Sequence, residues 1–349
     1  MALLLRDIRP EDLGGLLALA EQFDTVNLPA DRAVLAELID RSARSFAGPE
    51  DTPGDGLYLF ALVDDADGTV LGSSMIIASH GTPEDPHNFF RIDADERFSP
   101  TLGKVFRHET LTFRQSYTPH TELGGLMLDP SWRGHPQRLG RLLSLVRFLY
   151  IALHPRRFHD RLQAELLPPF EADGSSRLWE WLGRRFTGLD YPEADRLSRA
   201  NREFIPALFP RVPIYTALLP PEVRAVIGAV HPDTLGVERL LTSLGFVWNR
   251  HIDPFDGGPH YEARQAEVPL LGSVVRCGSV LEAPAGVSTG PCLVHMPRAP
   301  GRFEATVREA VVARDELLVV PRAAAGSAPA EWRGVEDEAA PLDAMPLPP

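Results

Sequence analysis

The sequence predicts an α/β fold of the α+β kind: a mixed, mostly antiparallel sheet flanked by helices, with a helical insertion and a small C-terminal β-rich unit. Three observations carry this expectation. Apolar residues make up 44% of the 349 positions, enough for a substantial core. Short apolar runs bounded by Gly, Pro and Asp alternate with stretches whose leucines recur at helical spacing. Along the chain the order is strand, helices, strand meander, strand–loop–long helix, strand, then helix–Gly-Phe–strand.

Leu3-Leu4-Leu5 begins a short strand, and Asp7 to Asp12 turns into a helix carried by Leu13, Leu16, Leu17 and Leu19. A second helix spans Asp31 to Ser45, with Val34, Leu35, Leu38 and Ile39 on one face. Gly48 to Gly56 is a loop. Leu57 to Val63 and Thr69 to Ala78 are strands joined by the Asp64–Gly68 turn. Strands follow at Lys104–Phe113 and Glu122–Leu128. A polar loop, Asp129 to Pro136, then leads into a long helix from Gln137 to Leu153, and Arg161–Leu167 reads as a buried strand. Pro168 to Val230 is a helical insertion with proline breaks. His231 to Thr234 opens a helix that Gly245 ends, and Phe246-Val247-Trp248 starts another strand. The first domain is expected over residues 1–264 and the β-rich unit over 265–322. The Ala-, Pro- and acid-rich tail, 323–349, is expected to be mobile.

A net charge of −13 repels nucleic acid and anionic lipid, so neither is an expected partner. No apolar run is long enough to span a bilayer, and the N-terminus lacks a basic stretch followed by a sustained apolar one. The expected compartment is therefore the cytoplasm, where Cys277 and Cys292 stay reduced. No CxxC, HxxxH or HExxH spacing exists, and no metal site is expected.

The chemistry centres on Glu122–Leu128 and the loop Arg133-Gly134-His135-Pro136-Gln137-Arg138-Leu139-Gly140 ahead of the long helix. Backbone N–H groups at a helix start, aided by its dipole, bind phosphate; an ordinary loop with solvated charges is the alternative. More specific are Thr121-Glu122-Leu123, Leu126 to Pro130, Arg141-Leu142-Leu143-Ser144 and Pro213-Ile214-Tyr215. With them stand Val230-His231-Pro232-Asp233-Thr234, Gly245-Phe246 and Phe255-Asp256-Gly257-Gly258-Pro259. Taken in this order, these segments resemble the arginine N-succinyltransferases, within the GNAT-like acyltransferases, over residues 3 to 265.

That resemblance implies transfer of succinyl from succinyl-CoA, a co-substrate and not a resident cofactor, to the α-amine of L-arginine or a related amino acid. It assigns His231 as the proton donor and Leu126 as an acyl-CoA contact. Met127, Leu128, Gln137, Arg138 and Gly140 complete the expected donor site, while Glu165, Arg91 and Asp256 are the candidate substrate-binding residues. Each has a structural alternative: His231 as a helix cap, Glu165 or Arg91 in an ion pair, Asp256 as a turn former. The loop departs from the family pattern. It is two residues longer, and Arg138-Leu139-Gly140 stands where Gly-Asn-Gly is usual, so the Arg138 side chain either obstructs or contacts pyrophosphate. Another acyl donor or amine acceptor, or a non-catalytic accessory subunit, stays open, as does a homo- or hetero-oligomer.

Overall fold

Strand β1 (Leu3–Asp7) pairs antiparallel with β2 (Leu57–Asp64), Leu5 facing Leu62, and on its other side with β14 (Glu304–Ala313), Leu5 facing Ala305. These pairings belong to a computed structural model that describes residues 3–23, 28–49, 52–282, 287–296, 299–313, 316–319 and 342–348. Two units emerge from its contacts: residues 1–78, 124–158 and 268–349 form the first, residues 79–123 and 159–267 the second.

In the first unit, helices α1 (Leu13–Phe23) and α2 (Arg32–Ala47) bury their leucine faces on β2 and β3 (Val70–His80). Asp31 caps α2 by accepting from the Ala33 and Val34 amides at 2.8 and 3.1 Å, which satisfies N–H groups the helix leaves unpaired. Behind β1, Arg6 holds Asp12 with two hydrogen bonds of 2.7 and 2.8 Å, both side chains buried. The long helix α3 (Leu139–Leu153) packs against β3 and β6 (His120–Leu128). Gly72 makes this approach possible: a Cβ there would lie 2.6 Å from the Met127 carbonyl and from Leu143. The strand order in this unit is β11 (Val275–Cys277), β16 (Leu342–Pro346), β13 (Gly290–His295), β14, β1, β2, β3, β6. Beside it β15 (Glu316–Val319) joins β14 to β12 (Ser279–Glu282).

The second unit takes His120–Leu123 from β6 and continues through β7 (Arg161–Glu165), β10 (Pro259–Arg264), β9 (Val247–Ile252), β4 (His87–Ser99), β5 (Lys104–Ser116) and β8 (Ile214–Tyr215). Among the paired strands described, β6–β7 and β12–β15 are parallel and the others antiparallel, as a mixed, mostly antiparallel sheet requires. The insertion forms a π-turn, Trp179–Gly183, running into α4 (Arg184–Thr187), then α5 (Tyr191–Ala200), α6 (Phe204–Leu208) and α7 (Pro221–Arg224). Buried Trp179 and Ile205 pack with Phe90, Leu111 and Ile252 of the sheet. Helix α8 (Leu235–Ser243) precedes β9.

Three features differ from expectation. Strand β4 was not anticipated, because Arg91, Asp93, Asp95 and Glu96 resemble loop composition. They are tolerated because β4 and β5 form a long hairpin with exposed charged positions. The C-terminal strands are continuous with β1 through β14, so they complete the first unit's sheet instead of forming a separate one. Finally, Leu342–Pro346 of the expected mobile tail is strand β16. Leu342, Ala344 and Met345 are buried, and β16 pairs with both β11 and β13; residues 321–341 lie outside the described set. Cys277 and Cys292 are buried. No described helix is long and apolar enough to cross a membrane.

The buried Arg6–Asp12 pair yields a test. Asp12→Ala leaves a buried guanidinium without its counter-charge and is expected to lower unfolding stability by about 3–5 kcal/mol. Urea titration measures it; a loss under 1 kcal/mol, roughly that of an exposed pair, refutes the assignment.

Candidate active site

The expected donor residues all belong to the first unit. Strand β6 breaks its pleat at Gly125, whose φ of 56° is a left-handed conformation that glycine adopts without strain. A Cβ at Gly125 would also lie 2.8 Å from Met75. The carbonyls on either side of the break are held: Ser73 Oγ donates to Gly125 O at 3.1 Å, and Arg147 Nη1 to Gly124 O at 3.3 Å. Arg147 is fully buried in α3, and burial pushes its guanidinium down to about 10. Leu126 and Leu128 are half-buried, whereas Met127 points into the core.

Helix α3 begins at Leu139, two residues later than its periodicity suggested. Arg138 is the N-cap, with φ 53° and no side-chain hydrogen bond to the helix. The position where the family carries a glycine is thus one whose backbone favours glycine. Gln137 and Arg138 are exposed, and Gly140 lies in the first helical turn against Leu128, where an added Cβ would meet it at 3.7 Å. Arg141 donates to the Pro348 carbonyl, which places the C-terminal strand segment beside this helix start.

The expected acceptor residues belong to the second unit. His231 caps the turn Pro232–Thr234: its Nδ1 accepts from the Asp233 amide at 3.1 Å, and its own amide donates to Leu167 O at 2.8 Å. Its capping alternative is therefore real. That bond also puts the proton of the neutral ring on Nε2. Glu165 ends β7 three residues before Pro168, and Leu166 N donates to Pro259 O at 3.1 Å. A Cβ on Gly258 would fall 2.3 Å from Leu166 O, so only glycine lets the Asp256-Gly257-Gly258 turn lie against this strand end. Asp256 closes that turn, accepting from Gly258 N at 2.7 Å, and Asp253 accepts from the Phe255 and Asp256 amides at 2.7 and 3.2 Å. One backbone ladder thus ties Glu165, the acidic turn and His231 together.

These carboxyls are held away from ionisation. Burial, reinforced by Glu122 and Asp253, pushes Glu165 up to about 8. Burial pushes Asp253 up to about 6 against the pull of its backbone hydrogen bonds, and burial with the charge of Asp253 raises Asp256 well above its usual range. Such a group of half-buried carboxyls is relieved by a cation. The Arg91 side chain is exposed and pairs with Asp93 at 2.9 Å, which is its surface alternative.

Residues that sequence reading did not single out surround Glu165. His80 on β3, His87 on β4, His120 on β6 and His260 on β10 converge. His80 Nδ1 is hydrogen-bonded to Glu122, and His80 Nε2 lies 3.3 Å from His87 Nδ1. Gln163 Nε2 donates to Glu165 at 3.1 Å and lies 3.3 Å from His87 Nε2; Glu165 is 3.7 Å from both His87 and His260. Burial opposes charge on His80, yet Glu122 holds its pKa up; burial and neighbouring cations hold His87 and His260 well below the usual range and His120 near 3. No spacing motif marks this group, because its members come from four strands brought together by tertiary pairing. Two triads, His80–His87–His120 and His87–Glu165–His260, have metal-ligating geometry.

A family model described as arginine N-succinyltransferase beta subunit matches residues 3–270. The arginine N-succinyltransferase of Enterobacter sp. (strain 638) is 35% identical over 263 residues, covering 74% of this chain and 75% of that protein. The protein of the same name from Escherichia coli O139:H28 (strain E24377A / ETEC) is 34% identical over 263 residues. Among solved structures, arginine/ornithine succinyltransferase subunit AI from Pseudomonas aeruginosa matches with a TM-score of 0.80 at 28% identity, over 99% of this chain and 98% of that one.

Two outcomes follow from this geometry. Arg138→Gly relieves a left-handed non-glycine residue and is expected to raise unfolding stability by up to about 1 kcal/mol, less than the full strain because glycine also gains unfolded-state entropy; a clear destabilisation in urea would contradict the assigned backbone. Glu165 binds its proton in the folded chain up to about pH 8 but in the unfolded chain only to its ordinary 4.5. Wild-type stability relative to Glu165→Gln is therefore expected to fall as pH rises from about 5 to 8. Parallel stability–pH curves for the two proteins would rule this out.

Proposed function

Since the chain belongs to the arginine N-succinyltransferase family, we propose that it transfers succinyl from succinyl-CoA to the α-amine of L-arginine. The chain is an enzyme of the acyltransferase type, and acyl-CoA is its co-substrate. The observation that carries the acceptor assignment is the grouping of Glu165, at the end of β7, with Asp253 and Asp256 of the turn hydrogen-bonded beside it; burial raises all three carboxyls, so a further cation is favoured there. A guanidinium or ammonium group supplies that cation, and its fixed donors suit carboxylate pairs.

The chemistry is a direct displacement. The amine nitrogen attacks the thioester carbonyl carbon, and the carbonyl oxygen becomes an oxyanion that backbone N–H groups stabilise. Collapse breaks the C–S bond, forms the amide and expels CoA thiolate. His231 donates a hydrogen bond from Nε2–H to that thiolate, in keeping with the Nδ1 bond to Asp233 that leaves the ring proton there. The proton lost from the attacking amine reaches the sulfur through solvent, so CoA leaves as the thiol and the ring stays neutral. Neither cysteine serves as a nucleophile; both are buried in the first unit's C-terminal strands. The helix start at Arg138–Gly140 is the assigned pyrophosphate site, with the exposed Arg138 guanidinium as an added phosphate contact. That arginine also favours a second reading, an acyl donor other than succinyl-CoA.

Thiol release from succinyl-CoA and acetyl-CoA, each with L-arginine and L-ornithine, separates these readings. Arginine-dependent turnover with succinyl-CoA is expected. His231→Ala is expected to lower kcat by at least roughly a hundredfold, within the range of general acid–base catalysis, and Glu165→Gln to raise KM for the amine more than for acyl-CoA. Folded protein that binds CoA yet acylates none of these amines would sink the proposal.

A further inference from the structure

We propose that His80, His87 and His120 form a binding site for one divalent transition-metal cation of the zinc class. The site is built inside the second unit from strands β3, β4 and β6, and the acyl-transfer reading does not depend on it.

Three observations carry the assignment. The first is spacing. One nitrogen from each ring lies within 4.8 Å of the others, and His80 Nε2 to His87 Nδ1 is 3.3 Å. Zinc–imidazole bonds of about 2.0–2.1 Å arranged tetrahedrally set nitrogens roughly 3.3–3.4 Å apart. The second is orientation. His80 Nδ1 is bound by the buried Glu122 carboxylate, which directs Nε2 toward His87; a carboxylate behind a histidine ligand is the usual support of such a site. The third is an unmet polar atom. His120 is fully buried, and its Nε2 has no hydrogen-bond partner among the described residues. A polar atom so placed costs free energy until something binds it.

The neighbouring triad shares His87, whose single inward nitrogen serves one ion. His260 also has unmatched ring nitrogens, so the three-histidine set is favoured on two other grounds: Glu165 already accepts from Gln163 at 3.1 Å, and His80 is backed by the Glu122 carboxylate. Charge is compatible: a dication there faces Glu122 and Glu165, with Arg161 and Arg202 as the opposing cations. Loading needs a proton shift on His120. Arg161 Nη2 lies 3.0 Å from Nδ1; in the loaded state Nδ1 carries the ring proton and donates to the Thr118 carbonyl, and Arg161 gives way. No covalent or redox step is involved. The ligand set, three imidazoles with a fourth position for water or an anion, selects zinc-like ions over calcium or magnesium.

The test uses the full chain, stripped with a chelator, dialysed and titrated with Zn(II) in a competing-chelator buffer without acyl-CoA. Bound metal is counted by elemental analysis. One Zn(II) per chain is expected. His87→Asn and His120→Asn are each expected to weaken binding at least a hundredfold, and His260→Asn less than about tenfold. Zinc-edge X-ray absorption of the loaded wild type is expected to show three imidazole ligands, a readout that stands if a variant fails to fold. The proposal is overturned if the wild type binds no stoichiometric Zn(II), if His120→Asn binds as the wild type does, or if the absorption spectrum shows two imidazoles and a carboxylate.

Discussion

The contact on which the first unit depends is between α3 and β6. Arg147 sits fully buried in the helix and donates to Gly124 O, while Ser73 on β3 takes the adjoining Gly125 carbonyl. A buried guanidinium is costly to desolvate, which its lowered pKa records, and hydrogen bonds to backbone oxygens offset that cost. The two bonds fix the strand where Gly125 breaks the pleat. Gly72 then lets α3, β3 and the Met127 carbonyl come together where any side chain would collide. Close packing and a locally irregular strand are therefore one arrangement: the helix that could not approach without Gly72 is the helix whose start we propose as the phosphate site.

In the second unit the controlling balance is between burial and charge. Desolvation, the largest single effect, pushes Glu122 upward, but the charge and hydrogen bond of His80 together with His120 and Arg202 outweigh it, so Glu122 stays ionised, near 2. At Glu165, desolvation and the charges of Glu122 and Asp253 outweigh the pull of His80 and Arg202, and it is driven the other way. Two carboxyls in neighbouring strands thus take opposite states, set by burial and by the charges around each. His231 shows a related economy: one ring nitrogen caps a turn, and the same bond sets which nitrogen carries the proton.

Much of this was legible in the sequence. The leucine periodicity of α1 and α3, the Asp64–Gly68 turn and the order of strand, loop and long helix fixed the fold class, because local patterns of that kind reflect which face each element buries. His231 and Asp256 were singled out from the co-linear motifs and Glu165 from its strand; their roles belong to the proposal. Strand β4 was hidden because its exposed charges mimic a loop, and β16 because its short apolar alternation is flanked by prolines and acids. Arg91 takes its ion-pair alternative: in a strand, neighbouring residues face opposite sides, and Phe90 takes the core side. The histidine group left no local trace at all, since its members are joined only by strand pairing. The one departure that sequence marked clearly, Arg138 in place of a glycine, lies at a left-handed residue, where side-chain identity and backbone conformation are in tension.

The pairing of β1 with β14, and of β13 with β16, has a consequence for how the polypeptide reaches its native state. Leu5 meets Ala305, and Leu293 meets Met345, so the sheet that receives the earliest residues is finished by some of the last. During synthesis the first unit cannot close until residues 342–346 have left the ribosome, while every segment of the second unit is available by residue 267. Contacts of such long sequence separation are slow to form, and the open edge of β1 waits unpaired meanwhile. The nascent chain therefore carries its greatest exposure to misassociation late, after the second unit has been made.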